Sequence, residues 1–168
     1  GAESEFYESA DPPGLPANRT LVGPSELLMV RGMTPEIYRA LAPLVTVWPA
    51  QAGNGSINLN TAPIEVLRSL GTKNDAQPLS ESEVEPLLDA RKPPKFIAED
   101  KKAELLGSGI LANKQLMNAP TTVLSDYFLL TTVTEFQGHR YSMRSILHRK
   151  GEGQQKTAEV ISRSFGDW

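Results

Sequence analysis

A change of period near residue 121 constrains this fold more than any other feature of the sequence. From about Pro24 to Pro120 the apolar residues recur every three or four positions, the spacing that lines one face of a helix. Beyond it, YFLLTTVTEF (Tyr127 to Phe136) is rich in aromatic and β-branched residues, the composition of a strand. A Gln137-Gly138 turn follows, then HRYSMRSILHRK, then Gly151-Glu152-Gly153, then QKTAEVISRSF. Three such runs joined by glycine-bearing turns predict an antiparallel meander. A chain that reads as helix first and sheet last falls in the α+β class. A lone meander needs a cover on its apolar face. The opening segment, the helices, or a helix beyond these residues could supply it, and we expect the last.

The chain divides into three zones, 1–24, 25–120 and 121–168. The first is irregular, because Pro12, Pro13 and Pro16 each remove a backbone donor and exclude a long helix. Phe6 and Tyr7 are expected to anchor it on a core. In the second zone Leu27-Leu28-Met29-Val30 is a short apolar run halted at Gly32. Thr34 is expected to cap a helix with Pro35 in its first position, and Pro43 to end it. Asn60 or Thr61 is expected to cap the next, with Ile64, Val66, Leu67 and Leu70 apolar. Ser80 and Glu83 have the capping-box spacing ahead of Val84, Leu87 and Leu88. A last helix is expected over Glu99 to Leu106, closed by Gly107. The outer zones are expected to belong together, with the helical zone inserted between them.

Composition narrows the function. With 39% apolar and 22% charged residues the chain suits a packed domain, and 13 Gly with 13 Pro suit many short elements. Seventeen basic against twenty acidic residues give a net charge of -3, where a general nucleic-acid binder carries a basic surplus. The absence of cysteine excludes disulfides, thiolate metal sites and a cysteine nucleophile. No apolar run reaches the roughly 20 residues of a membrane helix, and no signal-peptide pattern opens the chain. The start at Gly1-Ala2-Glu3, without Met, suggests a piece of a longer protein.

The residues that carry chemistry elsewhere are poorly placed for it here. His139 and His148 lie an odd number of positions apart on one predicted strand and so point to opposite faces. No G-x-S-x-G elbow or comparable signature is present, so no enzyme activity is expected. The acids Glu3, Glu5, Glu8 and Asp11 read either as a solvated strip or as oxygen ligands for a hard cation. The segment INLNTAPIEVLRSLG (Ile57 to Gly71) resembles the first helix of helix-hairpin-helix domains, which aim backbone N–H groups at a phosphate from a two-glycine hairpin. Here Gly71-Thr72-Lys73-Asn74 holds one glycine, as does Val30-Arg31-Gly32-Met33-Thr34, so the cradle is degraded. An alternative function nevertheless follows from it: a helix-hairpin-helix nucleic-acid-binding module resting on Lys73, Arg68 and Arg31.

Several strings, in order along nearly the whole chain, resemble the K-type minor pseudopilins of type II secretion systems. They are Gly1-Ala2-Glu3 with Tyr7; Pro12-Pro13 with Ala17-Asn18; Ser25-Glu26-Leu27 with Val30-Arg31-Gly32-Met33; and Ile57-Asn58-Leu59-Asn60-Thr61-Ala62. Ser125-Asp126-Tyr127-Phe128-Leu129-Leu130, Tyr141-Ser142-Met143-Arg144-Ser145 and Arg163-Ser164-Phe165-Gly166 complete the set. The resemblance implies a pilin-like β-meander, in segments 1–24 and 121–168, with a large all-helical insertion (helix-hairpin-helix or SAM-like) at 25–120. It implies a tip subunit of a periplasmic pseudopilus that helps initiate assembly for export across the outer membrane. I-type and J-type minor pseudopilins would be its partners, secreted cargo a further contact, and nucleic acid none. An amino-terminal apolar helix, which nothing here matches, would anchor the protein in the bacterial inner membrane and pack on the open face of the meander. The resemblance also implies calcium, with Glu3 on the matching string. The family often carries an acid next, where this chain has Ser4, so Glu5 is the substitute metal ligand, and Glu8 of the acidic cluster is the third.

Overall fold

The computed structural model describes residues 4–16, 18–49, 55–71, 77–107, 120–151 and 155–165. The chain forms two compact units, Gly1–Gly55 and Ser56–Trp168.

In the first unit the prolines leave room only for short elements: helix α1 (Ser4–Glu8), a 3-10 turn at Pro24–Met29, helix α2 (Pro35–Leu41) and a second 3-10 turn at Ala42–Leu44. Thr34 caps α2 as expected, its Oγ1 accepting the Ile37 N–H at 3.3 Å with Pro35 next in the chain. Gly32, at φ +84, makes the break that ends the preceding run. Phe6 and Tyr7 find no core. The Arg31 guanidinium lies 4.2 Å above the Phe6 ring and the Arg31 N–H donates to the Tyr7 hydroxyl. None of the unit's described residues is fully buried.

The second unit holds the core. Strand β1 (Ile57–Asn58) is followed by helices α3 (Ile64–Arg68), α4 (Glu81–Ala90) and α5 (Glu99–Leu106) and by strand β2 (Thr121–Thr122). Leu59, Leu67, Leu70, Leu79, Val84 and Leu87 are at most 1% exposed and pack into one cluster with Ala62, Ile97 and Val123. The periodic leucines therefore meet as the helical spacing requires. The N–H of Ser80 donates to Glu83 Oε2 at 2.8 Å at the start of α4, the expected box. Helix α5 has the expected limits, with the Gly107 N–H closing onto the Ala103 carbonyl. The expected cap of α3 is corrected: its N-cap position is Pro63, with no side-chain bond. Asn60 has other partners.

Strands β3 (Tyr127–Phe136), β4 (His139–Lys150) and β5 (Thr157–Phe165) form an antiparallel sheet in that order. Gln137 (φ 50) and Gly138 (φ 75) make the left-handed two-residue turn whose twist matches the strands. The pairing of β3 with β4 is regular from Tyr127↔His148 to Phe136↔His139. Between β4 and β5 the register shifts at Ile146/Leu147. The protein thus mixes helices and strands in the α+β class. Among the described residues no helix is long and apolar enough to cross a membrane.

Candidate interaction surface

Two asparagines of the INLN string fasten the helical core to the base of the sheet. Asn60 Nδ2 donates to the carbonyls of Ile97 and Val123, both at 3.0 Å, and its Oδ1 accepts the Ile97 N–H at 2.9 Å. Only a side-chain amide of this length brings donor and acceptor together to meet both peptide groups of one residue. Asn58 Oδ1 accepts the Asn60 N–H at 2.9 Å, and its Nδ2 donates to Ser125 Oγ at 2.7 Å. Arg91 Nη1 donates to the carbonyls of Leu59 and Ala62 at 3.0 and 2.7 Å. These bonds satisfy the polar backbone beside the fully buried Leu59, which would otherwise be costly to desolvate. Beyond Ser125, the Asp126 carbonyl accepts the Arg149 N–H at 2.7 Å and its carboxylate pairs with the Arg149 guanidinium at 3.0 Å. The short parallel pairing of β1 with β2 brings the start and end of the helical segment side by side.

Fixed in this way, the sheet presents a two-sided surface. Paired residues of antiparallel strands share a face. Phe128, Leu130 and Phe136 therefore lie on the side of Met143, Leu147, Val160 and Phe165. The opposite side carries Thr131, Glu135, Arg144 and Ser162 among fewer apolar groups. The apolar side is open: Phe128 is 45% exposed, Leu130 46%, Phe136 63% and Phe165 79%. Scattered exposed apolar residues are ordinary, but contiguous ones on one sheet face mark an interaction surface.

The other candidate residues are not brought together. His139 and His148 lie opposite Phe136 and Tyr127, hence on opposite faces, and the His148 ring stacks on Tyr127 at 4.5 Å. Of the nucleic-acid candidates, Arg68 Nε donates to the Leu79 carbonyl at 2.8 Å and Arg31 sits on Phe6, while Lys73 lies outside the described residues. Gly71 is needed for a close crossing, since a Cβ there would stand 2.6 Å from the Gln77 carbonyl oxygen. Glu5 and Glu8 are exposed and three positions apart on α1, so they share a side of it, and Glu3 lies outside the described residues. Calcium takes about six to eight oxygens. The two described carboxylates suit it in type and fall short in number, and no group of three candidate metal ligands converges among the described residues.

The sequence is similar to known proteins of one kind. A family profile described as "Type II secretion system (T2SS), protein K" matches residues 1–50. The "Putative type II secretion system protein K" of Escherichia coli (strain K12) is 27% identical over 171 aligned positions, covering 98% of this chain and 50% of the relative. The "Type II secretion system protein K" of Aeromonas hydrophila is 39% identical over 61 positions, covering 36% of this chain and 18% of the relative. The chain thus spans half the length of the first relative and less of the second.

Proposed function

This chain belongs to the protein K family of type II secretion systems, and we propose on that footing that it is the periplasmic part of a minor pseudopilin. In this reading it works through its surfaces and catalyses nothing. It sits at the pseudopilus tip with the I-type and J-type minor pseudopilins, helps initiate assembly and supports export across the outer membrane. Segments 1–24 and 121–168 form a pilin-like part, and 25–120 is the helical insertion. The pairing of Ile57–Asn58 with Thr121–Thr122 supports an insertion at its later boundary only, where it sets the chain after Pro120 beside the strand that leads into the helical core. Glu3, Glu5 and Glu8, completed by carbonyls and water, are the proposed calcium ligands.

The observation that carries the reading is the open apolar face of the β3-β4-β5 sheet. It offers a seat for the apolar amino-terminal helix by which the family is anchored in the inner membrane, and burying it there removes the solvent cost of its aromatic groups. Charges placed on this face test it. In the full-length protein, Leu130→Glu with Val160→Glu should abolish secretion, whereas Thr131→Glu with Ser162→Glu on the opposite side should leave it intact. Both pairs are solvent-exposed in this chain, so its melting temperature serves as the control for folding. Secretion unaffected by the first pair would refute the assigned role of the face.

A further inference from the structure

The two edges of the β3-β4-β5 sheet are not alike. At β5 the register shift opposite Ile146/Leu147 leaves Ile161 as an extra residue, and Glu159 and Arg163 add charge. Bulges and charges of this kind keep an edge from recruiting another strand. At β3 the protection is missing. From Phe128 to Thr134 there is no charge, no proline and no register shift. Among the described residues, its only strand neighbour is β4.

We propose that the free edge of β3 pairs antiparallel with β3 of a second copy of this chain, about a two-fold axis through Thr132. The sequence suits this register. With Thr132 opposite itself, Leu130 meets Thr134 and Phe128 meets Phe136, all on the apolar side defined by β4. On the other side Glu135, the strand's only charged residue, meets Leu129 of the other copy and never its own counterpart. The contact is therefore self-complementary, as a two-fold interface must be, and opposes no like charges. It supplies partners for the outward backbone N–H and C=O groups of the edge. It also joins the two apolar faces without a step. The pairing uses the edge and not the face, so it stands apart from the secretion role.

The absence of cysteine makes the test clean. Residues paired across an antiparallel ladder have Cα atoms about 4.5–5.5 Å apart, inside the span of about 4.4–6.8 Å that a disulfide bridges. Mild oxidation of the Thr132→Cys chain should give a covalent dimer, while Ser162→Cys on β5 stays monomeric. Thr132→Lys sets two ammonium groups against each other at the axis. It should convert the dimer seen by sedimentation into a folded monomer whose melting temperature no longer rises with protein concentration, as that of the dimer does. Thr132 is exposed in this chain, so the substitution disturbs no core. A wild-type chain that is monomeric at about 100 μM, weaker than specific association warrants, overturns the proposal. So does a dimer indifferent to Thr132→Lys, or one that cross-links equally through Ser162→Cys.

Discussion

Asn60 is the side chain on which the polar joint turns. Its amide answers three backbone groups, two on Ile97 and one on Val123, and both residues belong to the apolar core. Asn60→Ala should lower unfolding stability by about 2–4 kcal/mol, since it removes three bonds and leaves partly buried peptide groups unanswered. Asn60→Asp should cost nearly as much, because a carboxylate still accepts from Ile97 but donates to neither carbonyl. Denaturant midpoints measure both, and a change near zero for either would mean that the joint is not load-sharing. The acidic opening calls for a different measurement. If Glu3, Glu5 and Glu8 hold calcium, excess chelator should lower the melting temperature and added calcium restore it by mass action, with Glu3→Ala mimicking the chelator. An unchanged curve would leave a solvated strip.

The helices and strands show why some of this was legible in advance. Helix α4 begins where Ser80 and Glu83 answer each other, and Glu83→Ala should cost about 1 kcal/mol by opening that end. Pro86 lies inside the same helix and cannot donate to the preceding turn. Pro86→Ala should therefore raise stability, by less than the roughly 3 kcal/mol helix penalty because it also frees the unfolded chain. Thermal unfolding reads both changes. Caps of this kind, the ends of α5 and the Gln137-Gly138 turn depend on residues a few positions apart, and the sequence carries them openly. The pairing of β1 with β2 does not, for two-residue strands far apart in the chain leave no periodic trace. Asn60 was misread as a cap for the same reason: its partners Ile97 and Val123 are distant in sequence, and only folding brings them near. Phe6 and Tyr7 likewise find Arg31 instead of a core. That the sheet has an apolar face in want of a cover was foreseeable from the lone meander, whereas the residues that form it and the unequal protection of the two edges appeared only with the register.

In the assembled protein these parts make one argument: a helical core and a polar joint hold a sheet whose apolar side is left to something else. Among the described residues no three candidate metal ligands converge, and two of the three candidate phosphate-binding cations are engaged within the protein. What the described residues do offer is the open apolar face of the sheet. The proposed function says with whom such surfaces are expected to work, and reconstitution asks whether they do. The chain should be mixed with the I-type and J-type minor pseudopilins in calcium and followed by co-purification and light scattering. A defined heteromeric complex, formed without nucleic acid, is the expected result; three components that elute separately under those conditions would contradict it.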